Sequence, residues 1–323
     1  MSHGPLQNWL EYVLARLTLA IVPRLSRRMI LRLARVLGWL SYATSRHLRR
    51  VALANLAIVA PDRSDVARRR LARQSFTTFA LVMLDTFWLA RHTRERINAL
   101  VEFDPSFSFI LEPRPVVCLS AHLGNWEVLG LAIACRGQSL TSVVAPLKNE
   151  RVDPLFNDLR NATGQVMVQR QGAVRHLLKA LRQGHKIALL LDQNTKPVEG
   201  GVFVDFFGLK VPVSSAPALL ALRTGAPVII GVCLPTEAGH YRTHPLLHVD
   251  TAGLPADQED AVRTLTQRIA DGTAHLVRTY PEYWLSSYKR WKIRPDGEPA
   301  DRYPFYTRAA RPADLATRGS PEE

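Results

Sequence analysis

From Val116 onward, short unbroken apolar runs alternate with helical stretches, and that alternation is what most narrows the possible folds. The runs Val116–Leu119, Leu140–Ala145, Ile187–Leu191 and Val228–Cys233 lack the polar spacing of a strand with one wet face. They are rich in β-branched residues, as strands covered on both faces are. Between them the sequence predicts helices over 126–135, 173–182, 217–224 and 257–278, and one over 153–162 opened by Asp153-Pro154 with proline at the first helical position. Strand and helix in turn specify an α/β protein: a central, mostly parallel sheet flanked by helices. Val166–Val168 reads as a short extended piece, and Val202–Gly208 and Val211–Ser214 follow a loop at Lys196–Gly201.

Residues 1–100 read differently, as an N-terminal bundle of amphipathic helices. Leu10, Val13, Leu14, Leu17 and Ile21 recur at helical spacing until Pro23. Ser26 can cap a second helix with Met29, Leu33, Val36, Leu37 and Leu40 on one face and Arg27, Arg28, Arg32 and Arg35 elsewhere. Two more helices are predicted over about 46–57 and 66–91. Residues 1–73 hold fourteen arginines against Glu11, Asp62 and Asp65, much of the chain's net charge of +14. Such a segment wants an anionic partner. An apolar stripe beside an arginine face suits a helix lying on anionic headgroups; a pair of core-packing helices with solvated arginines is the other reading. Leu17–Pro23, bracketed by Arg16 and Arg24, is far shorter than the roughly 20 apolar residues of a span. The start Met-Ser-His-Gly-Pro has no signal-peptide character. Nucleic acid is not expected as a partner, because no helix-turn-helix, zinc-finger or RNA-recognition pattern accompanies the arginines. Cys118, Cys135 and Cys233 stand apart in apolar runs and read as buried thiols in a reducing compartment. The predicted organisation is a helical membrane-associating region over 1–100, an α/β domain over 101–295, and a mostly disordered polar tail over 296–323.

The chemistry concentrates in Ala121–Gly130, Ala-His-Leu-Gly-Asn-Trp-Glu-Val-Leu-Gly. His122 sits where the first buried strand stops. Gly124 permits a tight turn, Asn125 can cap the next helix, and Glu127 falls in its first turn, where a carboxylate is favoured. A sharp strand–turn–helix corner can bring His122 and Glu127 together. An imidazole with an ordinary pKa of about 6.5 can then take a proton, with a carboxylate on its other nitrogen fixing the tautomer. A substrate hydroxyl held against the free nitrogen becomes a nucleophile, with no need for a serine, a cysteine or a metal. A hydrogen-bonded histidine at a strand end, beside an ordinary first-turn acid, has the same spacing, so spacing alone does not decide. Asp192 ends the strand 187–191 as His122 ends its own, and ligands of open α/β sheets bind outside such ends. Gly-x-Gly-x-x-Gly, P-loop, Gly-x-Ser-x-Gly and His-Glu-x-x-His patterns are missing, which leaves dinucleotide, nucleotide, serine-hydrolase and zinc-protease chemistry without a motif.

The string His122-Leu-Gly-Asn-Trp-Glu127 closely resembles the signature of the bacterial lipid A late (lauroyl/myristoyl) acyltransferases, and more distantly the His-x4-Asp/Glu motif of glycerolipid acyltransferases. Arg49–Leu56, Arg160-Asn-Ala-Thr-Gly164, Asp192, Val202–Gly208, Gly225–Val228 and Tyr288–Pro295 resemble further stretches of the same family, so the likeness spans about 6–295. The sequence departs from the family at Asn194, where a second acid is common, and at Tyr288, where a histidine is common. The resemblance implies a glycerolipid acyltransferase-like fold with His122 as base, Glu127 as its supporting acid and Arg160 in the active site. Gly124, Asn125, Arg160 and Asp192 are expected to meet the substrate, with Arg160 or the backbone N–H groups near Gly124-Asn125 facing the developing oxyanion. It further implies a fatty acyl thioester of acyl carrier protein or coenzyme A as co-substrate, no cofactor or metal, and a lipid A precursor as acceptor. The expected place of work is the cytoplasmic face of the inner membrane. Another glycolipid or a lysophospholipid as acceptor, or a catalytically silent membrane-binding relative, are the alternatives.

Overall fold

The computed structural model of the chain describes residues 4–144, 149–155 and 163–315. Five helices come first: α1 (Pro5–Ile21), α2 (Arg27–Thr44), α3 (Arg46–Val59), α4 (Asp65–Trp88) and α5 (Thr93–Leu100). Serines start two of them. Ser26 accepts from the Met29 N–H and Ser64 from the Ala67 N–H, each relieving one of a helix's unsatisfied first donors.

The main sheet has six strands in the order β11-β8-β2-β5-β3-β4. These are β2 (Val116–Ser120), β3 (Leu140–Val144), β4 (Val166–Gln169), β5 (Lys186–Leu190), β8 (Val228–Ile230) and β11 (Leu247–Val249). Every neighbouring pair is parallel except β11 with β8. The central strand β2 is covered on both sides. Val117 and Leu119 join one core cluster, while Val116 and Cys118 join a second. That second cluster also takes in Ile30 and Ala34 of α2 and Leu81, Leu84 and Trp88 of α4. The N-terminal helices are thus packed onto one face of the sheet. The predicted strand 228–233 divides at Gly231. Beyond it β9 (Cys233–Pro235) leaves for a three-stranded sheet with β10 (Tyr241–Thr243) and β1 (Val101–Glu102).

The tail departs from the sequence reading. Residues 296–315 are not disordered but close over the domain. Ile293–Arg294 pairs in parallel with Arg308–Ala309, the buried Tyr303 accepts at its hydroxyl from the Lys210 N–H at 3.0 Å, and buried Asp314 ion-pairs with Arg308 at 2.6 Å and Lys196 at 3.1 Å. The polar composition hid these few anchoring groups. Residues 316–323 lie outside the described residues, as does most of the predicted helix 153–162. Cys118 and Cys233 are buried as expected, but Cys135 is only half-buried.

Candidate active site

The register of two adjacent strands builds the site. Ser120 of β2 pairs with Leu190 of β5. Two residues beyond each partner stand His122 and Asp192, so strand pairing delivers them to the same rim although 70 residues separate them in sequence. His122 Nδ1 lies 2.7 Å from Asp192 Oδ1. An ionised carboxylate only accepts, so the hydrogen is on Nδ1 and Nε2 is the free acceptor. Asp192 also accepts the backbone N–H of His122 at 3.0 and 3.1 Å and the indole N–H of Trp284 at 3.0 Å. Burial pushes the Asp192 carboxyl up, but the charge and hydrogen bonds of His122, with the charge of Arg290 beyond them, outweigh it and hold it at about 2. The carboxylate is therefore ionised at any pH near neutrality.

The corner that presents His122 is held by its backbone. Gly124 has φ +68°, and a Cβ there would lie 2.2 Å from the Cys233 carbonyl oxygen. Helix α7 (Trp126–Cys135) starts at Asn125, whose side chain accepts the Val128 N–H at 3.0 Å. The N–H groups of Gly124 and Asn125 donate to the carbonyls of Tyr283 at 3.0 Å and Cys233 at 2.8 Å, and His122 accepts from the Leu285 N–H at 2.8 Å. The Asn125 amide is fully buried and donates to Asp85 at 3.2 Å and to the Tyr241 hydroxyl at 2.9 Å. Asp85 in turn holds Arg27.

Three of the predicted assignments change. The acid on the imidazole is Asp192, not Glu127, because strand register places Asp192 against Nδ1 while Glu127 begins α7. Asp192, expected to meet the substrate, is bound to the histidine and to Trp284. Gly124 and Asn125 are committed to the corner itself, and their N–H groups already have carbonyl partners, so they are not the oxyanion donors. Arg160 lies outside the described residues.

Other residues entered the site without notice from the sequence. The Gln193 amide lies 3.3 Å from His122 Nε2, on the side a substrate hydroxyl must approach. Trp126 packs edge-on against the imidazole, with ring centres 4.6 Å apart. Trp284 anchors Asp192, and its segment is buckled to the N-terminal helices. Ser75 of α4 binds the Trp284 carbonyl and the Ser286 N–H, and Asn55 of α3 donates to the carbonyls of Ser286 and Tyr288 at 2.7 Å. The two departures from the family pattern meet each other: the backbone and side-chain N–H groups of Asn194 both donate to the Tyr288 hydroxyl at 3.1 Å.

Beyond Trp126 a cavity runs between α7 and the strands β2, β3, β4 and β5. Leu129, Ile133, Leu140, Val143, Met167 and Leu189 line it, and Glu127 stands in its wall. Gln165 and Ser142 add a polar spot there, with the Gln165 amide donating to Ser142 Oγ at 2.6 Å.

The profile of the bacterial lipid A biosynthesis acyltransferases matches residues 4–293. A lipid A biosynthesis myristoyltransferase of Escherichia coli is 27% identical over 295 residues, 90% of this chain and 88% of the relative. A phosphatidylinositol mannoside acyltransferase of Mycolicibacterium smegmatis is 26% identical over 229 residues, 68% of this chain and 72% of the relative. Among solved structures, the 1-acyl-sn-glycerophosphate acyltransferase of Thermotoga maritima aligns with a TM-score of 0.36 at 12% identity, over 78% of this chain and 98% of that one. With its family profile spanning nearly the whole length, this chain belongs to the bacterial lipid A biosynthesis acyltransferase family.

Proposed function

We propose that the enzyme moves a fatty acyl group from a thioester of acyl carrier protein or coenzyme A to a hydroxyl of a lipid A precursor, working at an anionic membrane surface. His122 Nε2 takes the hydroxyl proton as that oxygen attacks the thioester carbonyl. The tetrahedral intermediate collapses to the ester, the C–S bond breaks, and the imidazolium returns the proton to the leaving thiolate. Asp192 keeps the tautomer and stabilises the imidazolium. The acyl tail lies in the apolar cavity behind Trp126. Arg160 remains the proposed contact for the developing oxyanion charge.

The observation that carries this reading is the His122–Asp192 pair at 2.7 Å, at a sheet rim beside an apolar cavity. The membrane side rests on α1 and α2. Leu14 is 65% exposed, Val36 58% and Trp39 64%, and Leu6, Leu10, Leu17 and Ile21 stand out beside them. Exposed arginines 24, 28, 32 and 35 border these side chains. Among the described residues no helix is long and apolar enough to cross a membrane. The proposed location is the cytoplasmic face of the inner membrane.

The likeness to a phosphatidylinositol mannoside acyltransferase supports a second reading of the acceptor alone, as a different glycolipid. Purified full-length protein, given acyl thioester with a lipid A precursor, a phosphatidylinositol mannoside or a lysophospholipid, should acylate the first, as read by mass spectrometry of the lipid. Acylation of another acceptor alone would replace the lipid A assignment. Binding without thioester turnover on any acceptor would make the chain a silent relative.

A further inference from the structure

Among the described residues, Arg290 is a buried cation with no carboxylate of its own. It is 1% exposed, and its guanidinium lies over the Phe206 ring, 4.7 Å from the centre. Its Nε and Nη1 find no hydrogen-bond partner among the described residues. The titratable groups whose charge reaches it are Asp192, Tyr288 and Tyr306. Burial lowers it to about 10, so it stays charged at neutral pH. A buried charge without a hydrogen-bonded partner is costly to keep.

The surroundings fix where this charge acts. Arg290 sits on the segment whose Trp284 donates to Asp192. That segment is clasped to the loop after β5 by uncharged bonds, with Asn194 donating to the Tyr288 hydroxyl and, at 3.0 Å, to the Lys289 carbonyl. The groups facing the His122–Asp192 pair are Gln193 and Trp126 against the ring and Trp284 on the carboxylate, none of them charged. Among the described residues, the other charged residues on the elements packed around the pair are Glu127 of α7, Lys186 of β5, and Lys289 and Lys292 on the segment from Trp284 to Lys292.

We propose that Arg290 is a positioning residue for the dyad, a buried counter-charge that shares the negative charge of Asp192 and so limits how strongly Asp192 holds a proton on His122. Its sign follows from Coulomb's law. Without Arg290 the full charge of Asp192 would favour the imidazolium, and His122 would be lost as a base at a higher pH.

The inference rests on the reading of His122 as the base. Its test is the pH profile of acyl transfer by the detergent-solubilised full chain in wild type, Arg290→Met and Arg290→Lys. Arg290→Met should move the acid limb up by about one pH unit, with rates on the alkaline plateau within about tenfold of wild type. Arg290→Lys keeps the charge and should leave the limb nearly where it is. An unmoved limb in a folded Arg290→Met protein would overturn the proposal. Where that variant does not fold, thermal unfolding of Asp192→Asn and of Asp192→Asn with Arg290→Met decides. The counter-charge account predicts that the second change restores part of the melting temperature lost by the first, and no recovery overturns it. Full activity of His122→Ala would sink the mechanism itself. An inactive His122→Ala together with an unmoved limb sinks the role of Arg290 alone.

Discussion

The catalytic rim and the α1–α2 surface are built on opposite terms. At the rim the polar groups that hold the corner are bound, most of them buried. Asp192 accepts from His122 and Trp284, Asn125 spans α7, Asp85 and Tyr241, and the corner's own N–H groups are spent on carbonyls. On α1 and α2 large apolar side chains face outward, among them Leu14 and Trp39. Fixed geometry serves proton transfer, whose donors and acceptors must be in place before the substrate arrives. Unsatisfied apolar surface suits the proposed adhesion to a membrane, which needs area and tolerates imprecision. Arg27 shows where the two meet. It belongs to the arginine-rich α2, yet it is spent inside, on Asp85 and over the Trp88 and Tyr241 rings.

This contrast can be broken first at the rim. His122→Ala should cost at least 10²- to 10⁴-fold in acyl transfer while circular dichroism shows an unchanged fold. Glu127→Gln should cost less, since the acid on the imidazole is Asp192. A larger loss from Glu127→Gln would return the supporting role to Glu127.

Next comes the junction of the two regions. Asp85→Ala leaves Arg27 buried without its carboxylate and should destabilise the protein by about 3–5 kcal/mol, read as a lower midpoint in denaturant. A variant as stable as wild type would mean that Arg27 swings out to solvent.

The surface should yield more gently. Changing Arg24, Arg28, Arg32 and Arg35 to Gln, with Arg27 left intact, should remove on the order of 1 kcal/mol of membrane attraction per arginine. The variant should then release from anionic vesicles at lower salt, while detergent-assayed turnover persists. The remaining apolar stripe should keep some protein bound until detergent is added. Equal retention at every salt concentration would show that the arginines are not part of the anchor.

The smallest effect is expected in the cavity. A Cβ on Gly130 would come within 3.0 Å of the Gln165 amide. Gly130→Ala should therefore shift preference toward shorter acyl chains, by a few-fold in competition between donors. An unchanged chain-length profile would place the tail elsewhere.

Much of the fold could be read from local signals. Unbroken β-branched runs gave the buried strands, and the corner Gly124-Asn125 followed from turn and cap chemistry, with Gly124 at positive φ and Asn125 capping α7. The partner of His122 was not legible in the same way. Asp192 was visible as an acid at a strand end, but its pairing with His122 depends on which strand neighbours β2 and in which register, and neither is a local property. Trp284 and Arg290 were hidden for the same reason. In sequence they belong to a stretch that interleaves aromatics with cations, and it is turned inward by its bonds to Asn55, Ser75, Asn194 and the His122 corner. Arg27 reads like its neighbours Arg28 and Arg32 until Asp85, 58 residues away, claims it.

The central claim is that His122 and Asp192 act as one unit, and single-turnover acyl transfer by His122→Ala, Asp192→Asn and the double variant tests it most directly. A unit predicts that each single change removes most of the rate and that the double variant is scarcely slower than His122→Ala. If the two losses multiply, or if Asp192→Asn transfers acyl groups at nearly the wild-type rate, the carboxylate on Nδ1 is not what makes His122 a base.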